Sequence, residues 1–295
     1  MLSFLFLTAD FARAQLIDSL RVDQDGVTGQ WTSLALDAAE NPYIAYFDST
    51  DQRLRFASWN GTAFDIEAVD STQEGGMNCD LALDGDGNPH ISYYAYSTDR
   101  DSVSLYYANR SGGSWTIEHV EGGPVANFIG SSWTDIELGE DGPGIAYLEV
   151  APSFRLKYAA RGAGGTWGTA VADTTSASGF EATLVLDDGD TPHIAHLRFV
   201  TGGGLEVRYT TLTNLVAWSS EVVVAVDSGD IGWADIDLLA GDVPAIAYLW
   251  SNANLLYVTV QSGPGSSWVE SFYDTAGVGP NGDTKPVAIH VDEQN

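Results

Sequence analysis

The side chains best suited to chemistry in this chain are indoles and carboxylates that recur at matched places. One column, at the start of five repeated stretches, reads Trp31, Asn78, Trp133, Glu181 and Trp233. Two residues further on, a second column reads Ser33, Asp80, Asp135, Thr183 and Asp235. A third group, Asp48, Glu149, Arg198 and Trp250, closes a later strand of the same stretches. Indole faces stack on the C–H faces of sugar rings while carboxylates take the hydroxyls, so this set suits a glycan. Trp31, Trp133, Trp233, Asp80, Asp135, Asp235, Asp48, Glu149, Arg198 and Trp250 are therefore the candidate ligand-binding residues. The competing reading is structural: a Trp at a strand start caps a core, and an Asp there accepts backbone N–H bonds from the next repeat.

Two further chemistries have candidates. The turns Asp84-Gly85-Asp86-Gly87-Asn88 and Asp187-Asp188-Gly189-Asp190 resemble calcium loops, with Asp84, Asp86, Asp187 and Asp190 as ligands. They lack the downstream Glu of an EF-hand, and the same letters make an ordinary tight turn, so the reading without any cofactor stands beside Ca2+. His196 replaces the tyrosine found at 46, 93, 147 and 248 and stands near Arg198, which makes it the one candidate catalytic base. No G-x-S-x-G, zinc-ligand spacing or phosphate loop occurs, so other enzyme classes have no residues to rest on.

The elements that must position these residues follow from a repeat. The runs LALD (34–37), LALD (81–84), IELG (136–139), LVLD (184–187), IDLL (236–239) and IHVD (289–292) end at steps of 47, 55, 48, 52 and 53 residues. After each of the first five comes a Gly/Asp/Asn turn, then a strand such as PYIAYFD (42–48) with a small residue at its centre (Ala45, Ser92, Ala146, Ala195, Ala247). A third strand carries an aromatic at one place (Phe56, Tyr107, Tyr158, Tyr209, Tyr257), and a fourth opens with Phe64, Trp115, Trp167, Trp218 or Trp268. Four short strands per period of about 50 residues predict an all-β β-propeller of four-stranded antiparallel blades. Five blades are complete. Residues 16–23 match a fourth strand and 285–293 a first strand, so the expectation is a partial sixth blade, a ring closed by the N-terminal strand and a sequence that continues past Asn295.

The repeat resembles the secreted bacterial β-propeller repeat proteins, whose units read L-x-L-D-x-x-G-N-P-x-I-x-Y and which have lectin-like and sialidase-like relatives. The resemblance covers residues 16–295 and implies the fold, not an activity. The sialidase features are missing: the F/Y-R-I-P opening is absent and ten arginines are spread along the chain.

The net charge of −29, from 41 acidic against 12 basic residues, excludes nucleic acid and anionic lipid as partners. Cys79 is alone, so no intrachain disulfide forms. Residues 1–14, with LSFLFL before Ala12-Arg13-Ala14, read as the remnant of a secretory signal, leaving 15–295 as one propeller domain; no other apolar run spans a bilayer. The expected protein is thus secreted, periplasmic or on the cell surface. It is read as a non-catalytic binder of a glycan or other extracellular partner, with a structural surface or filament subunit and a polysaccharide lyase or glycoside hydrolase as alternatives.

Overall fold

The computed structural model describes residues 21–71, 74–124, 133–149, 154–213, 217–226, 231–250, 255–263, 265–274 and 288–291, and for Ile231, Trp250 and 271–274 the backbone alone. The signal-like segment, most of the N-terminal strand and most of the sixth repeat lie outside these residues.

Among the described residues, twenty strands form five sheets. The first holds β1 (Thr28–Leu36), β2 (Pro42–Asp48), β3 (Arg53–Trp59) and β4 (Phe64–Ala68); the second β5 (Glu74–Leu83), β6 (Pro89–Tyr96), β7 (Ser102–Ser111) and β8 (Ser114–Pro124). The third holds β9 (Thr134–Gly139), β10 (Gly142–Leu148), β11 (Leu156–Arg161) and β12 (Trp167–Val171); the fourth β13 (Ser178–Leu186), β14 (Pro192–Val200), β15 (Gly204–Thr213) and β16 (Ala217–Val226). The fifth holds β17 (Ile231–Leu239), β18 (Val243–Trp250), β19 (Leu255–Gln261) and β20 (Trp268–Asp274). Every sheet is an antiparallel meander in sequence order, and β1, β5, β9, β13 and β17 lie against one another in turn, so the arrangement is propeller-like. Among the described residues no helix is long and apolar enough to cross a membrane.

Local chemistry explains the meanders. In the turn before β2, Asp37 Oδ1 accepts the N–H groups of Ala39 (2.9 Å) and Asn41 (2.8 Å). Asp84 does the same for Asp86 (3.0 Å) and Asn88 (2.7 Å), and Asp187 for Gly189 and Thr191 (both 2.8 Å). These are Asx-turns, and in two of them the carboxylate that closes the turn belongs to a calcium candidate, Asp84 or Asp187. Asp84 and Asp187 close their own turns, Asp86 donates its N–H to Asp84, and the Asp190 carboxylate accepts the N–H groups of Glu140 (3.0 Å) and Asp141 (2.9 Å) from the preceding sheet. Among the described residues no group of three or more His, Cys, Asp or Glu side chains is placed to hold a metal ion.

Sheets pack through the repeated aromatics. The third-strand ring of one sheet meets the fourth-strand indole of the next edge-on: Phe56–Trp115 at 5.2 Å, Tyr107–Trp167 at 5.2 Å, Tyr158–Trp218 at 5.4 Å and Tyr209–Trp268 at 5.3 Å between centroids. Gly76 and Gly179 permit the close approach, since a Cβ would stand 2.7 Å from Leu54 Cα and 2.6 Å from Leu156 Cα. Second-strand tyrosines are tied to acids: Tyr93 Oη donates to Asp70 (2.9 Å) and Tyr147 Oη to Glu121 (2.8 Å), both at the end of the preceding unit. Asp23 takes the same place against Tyr46, at 2.7 Å, whereas Tyr248 Oη donates to Glu270 of its own sheet (2.7 Å). One face differs. Leu34 is 58% exposed, whereas its equivalents Leu81 and Leu184 are 6% and 4% exposed, because no described sheet covers the outer face of β1.

Candidate functional site

The first strands converge on one cavity of about 620 Å3, lined by Trp31, Asp80, Trp133, Asp135, Glu181 and Trp233 together with smaller neighbours. Their aim is set by the backbone. Trp31, Asn78 and Glu181 all have φ of +49°, a left-handed conformation in which non-glycine residues are strained, and the pairing register shifts there between Gln30 and Ser33, Met77 and Asp80, and Phe180 and Thr183. β17 shifts register in the same place, between Ile231 and Ala234. A bulge turns one side chain out of the sheet alternation, and two of the three left-handed residues, Trp31 and Glu181, line the cavity, while Asn78 is fully buried.

Trp133 and Trp233 come from the third and fifth sheets and meet edge-on at 5.1 Å and 81°, while Glu181 comes from the sheet between them. The Trp133 indole N–H donates to the Glu181 carboxyl, whose Oε2 is buried with no partner among the described residues. Trp31 reaches the same cavity, tilted at 52° against Phe47. The three indoles and the acids Asp80 and Asp135 are thus brought together, joined by Glu181, which the indole-led reading of the first column passed over.

The second column also has a structural task. Ser33 Oγ and the carboxylates each receive a backbone N–H from the next first strand: Leu81 to Ser33 (3.1 Å), Ile136 to Asp80 (2.9 Å), Leu184 to Asp135 (3.1 Å) and Ile289 to Asp235 (2.8 Å). The last bond places the described residue Ile289 beside β17, as a following first strand would be. Burial, and after it crowding by neighbouring acids, raises the pKa of Asp135 and Asp235 and of nearby Glu137. Burial, then Asp80 and Glu137, push Asp135 well above the usual range; burial and Asp80 push Glu137 up to about 7. Burial alone lifts Glu181 to about 8 and is the main cause of the rise at Asp235. A carboxyl that holds its proton is a hydrogen-bond donor as well as an acceptor, and sugar hydroxyls accept and donate.

The other candidates are placed elsewhere. Asp48 Oδ2 accepts from Arg55 Nε and Nη2 at 3.1 and 3.0 Å, Glu149 binds Arg155 through two bonds of 2.9 and 3.1 Å, and Arg198 donates to Glu206 at 3.0 Å. These pairs clamp turns within their own sheets, and none of the three candidates lines the cavity. Trp250 ends β18, and its side chain lies outside the described residues. His196 is fully buried: Nδ1 accepts the Gly179 N–H at 3.1 Å, Nε2 meets Thr210 Oγ1 at 2.9 Å, and Asp173 lies 3.7 Å away. Burial pushes its pKa down to about 4, so it is neutral and sealed from ligand. Far from breaking its column, it faces Asp173 as the tyrosines face their acids.

No protein-family model and no curated protein matches the chain. Solved structures do share its fold. A Penicillium chrysogenum alpha-L-arabinanase complexed with arabinobiose aligns with TM-score 0.56 at 11% identity, over 83% of this chain and 82% of that one. The GH93 alpha-L-arabinofuranosidase of Fusarium graminearum with arabinobiose aligns with TM-score 0.55 at 9% identity, over 82% and 80%. The SapL1 lectin in complex with alpha methyl fucoside aligns with TM-score 0.52 at 11% identity, over 82% and 78%. The chain is therefore similar in fold to propeller glycoside hydrolases and lectins.

Proposed function

We propose that this protein is a secreted, non-catalytic propeller that binds a glycan in the cavity where its first strands meet. The observation that carries the reading is the convergence of Trp31, Trp133, Trp233 and Glu181 on one cavity, two of them turned there by left-handed bulges. Indole surface beside proton-bearing carboxyls gives a sugar ring both an apolar wall and donor–acceptor partners. The fold neighbours that carry arabinobiose and methyl fucoside support a saccharide as the ligand class. A glycan array tests it: the wild type binds a defined set, and the Trp31/Trp133/Trp233→Ala triple variant loses it. Failure of both proteins to bind anything, or binding indifferent to the triple change, would sink the reading.

A glycoside hydrolase is the second reading, favoured by one observation. Glu181, raised to about 8, shares the cavity with Asp80 and Asp135, and an acid that keeps its proton beside other carboxyls is what glycosidic cleavage uses. Release of reducing ends from arabinan that disappears in Glu181→Gln would replace binding by catalysis.

A further inference from the structure

The contacts between successive sheets reuse one polar slot, and one copy of that slot lacks its cation. Opposite each fourth-strand tryptophan the third strand places Arg110 (Trp115), Arg161 (Trp167), Leu212 (Trp218) and Gln261 (Trp268). Three residues past the aromatic of the preceding fourth strand stand Glu67, Glu118, Ala170 and Glu221. The slots therefore read Glu67–Arg110, Glu118–Arg161, Ala170–Leu212 and Glu221–Gln261. The first is an ion pair at 2.6 Å, and the second is bidentate, with both bonds at 2.8 Å. The third is apolar on both sides. Only the fourth keeps the acid and drops the positive charge.

The second and fourth slots are otherwise built alike. His90 Nδ1 lies 2.5 Å from Tyr107 Oη and Nε2 lies 3.5 Å from Asp84; His193 Nδ1 lies 2.5 Å from Tyr209 Oη and Nε2 lies 3.4 Å from Asp187. Trp167 Nε1 donates to Glu118 and Trp268 Nε1 to Glu221, both at 2.9 Å. In the second slot the Arg161 guanidinium also lies over Tyr107, 6.0 Å from its centroid. In the fourth, the shorter Gln261 reaches Glu221 Oε1 at 2.8 Å and accepts the Gly265 N–H at 3.0 Å. A cavity of about 470 Å3 opens there, bordered by Asp187, His193, Tyr209, Glu221, Asp242 and Gln261. The charges around the histidines differ as well: His90 feels Arg161, whereas His193 feels the Asp242 carboxylate.

We propose that the cavity between the fourth and fifth sheets is a binding site for a guanidinium group, presented by an arginine side chain of a partner protein, which takes there the place that Arg161 takes between the second and third. A planar fork pairs with the Glu221 carboxylate while its face lies over Tyr209, and Asp187 and Asp242 supply further negative charge. An ammonium lacks both the fork and the stacking face. The site lies outside the first-strand cavity and does not depend on glycan binding.

The test uses the intact protein and capped amino-acid amides followed by NMR titration. N-acetyl-arginine methylamide saturates with a Kd on the order of 1 mM, and its neutral isostere N-acetyl-citrulline methylamide binds at least about tenfold more weakly. Gln261→Arg, which supplies the missing cation from within, weakens the arginine probe at least about tenfold. Glu221→Gln does the same, so the result stands if one variant does not fold. Equal binding of the citrulline and arginine probes, no saturable binding of the arginine probe, or wild-type affinity in the folded variants would overturn the proposal. Tighter binding of free arginine than of the capped amide would overturn its assignment to a protein side chain.

Discussion

The junction between the second and third sheets and that between the fourth and fifth share a histidine, a tyrosine, a tryptophan and two acids, and differ in Arg161 against Gln261. The apolar contact barely changes: the Tyr–Trp centroids stand 5.2 Å apart in one and 5.3 Å in the other. The polar slot changes from a closed ion pair to an open cavity. Edge-on aromatic burial therefore carries the packing, and the charge beside it varies without loss of the fold. The same contrast separates two glutamates. Arg161 holds Glu118 below the usual carboxylate range, whereas Glu181, with no cation beside it, is lifted by burial to about 8.

The largest expected effect tests whether the aromatics dominate both junctions. Tyr107→Ala destabilises the protein by about 3–5 kcal/mol, and Tyr209→Ala by about 1 kcal/mol less, because the flank of Tyr209 already borders a cavity. Denaturant midpoints at constant m-value measure both, and equal or reversed losses would break the comparison.

A smaller effect comes from exchanging the differing residues. Arg161→Gln removes a bidentate pair whose side chains are 30% and 20% exposed, and costs about 1–2 kcal/mol. Gln261→Arg changes stability by less than about 1 kcal/mol in either direction, since the cavity admits the longer side chain and Glu221 receives it. A Gln261→Arg variant less stable than Arg161→Gln would show that the two slots are not equivalent.

The smallest effect sharpens the contrast between paired and unpaired acids. The folded pKa of Glu181, about 8, lies above its ordinary value of 4.5, so between these pH values the native state keeps a proton that the unfolded chain has released. Stability therefore falls as pH rises through that window, and the loss is complete above about pH 8. Glu137, raised to about 7, acts in the same direction. His196, lowered from 6.5 to about 4, acts oppositely, but only between those values. Thermal unfolding between pH 6.5 and 8.5 thus isolates the carboxyls. The wild type loses stability on going up, and Glu181→Gln loses up to about 1 kcal/mol per pH unit less. Identical slopes would remove Glu181 from the proton-holding group.

Much of the fold was legible in the chain because each strand repeats a local chemistry. Asp37, Asp84 and Asp187 close turns with their own side chains, and the tryptophans opening four of the fourth strands fill the space between sheets as their recurrence predicts. The site was legible in part. The Trp31, Trp133 and Trp233 column does reach one cavity, since equivalent positions of successive first strands surround a common axis. Asp48, Glu149 and Arg198 were misleading, because their arginine and glutamate partners lie six to eight residues along the chain and hold them in their own sheets. His196 was misleading for a different reason: whether a ring in the middle of a strand faces water depends on the sheet stacked against it.

From its residues alone this chain determined its period, its strand alternation, its turns and the column to which each side chain belongs, because those depend on neighbours within a few positions. Tertiary structure decided which columns face a cavity and which face another sheet. It turned Trp31 and Glu181 inward through left-handed bulges that no residue type announces. It also brought Glu118 to Arg161 across 43 residues, and Glu221 to a glutamine across 40. Contacts between sheets join residues a whole repeat apart, and only the packed sheets set whether a charge finds a partner or is left open to one from outside.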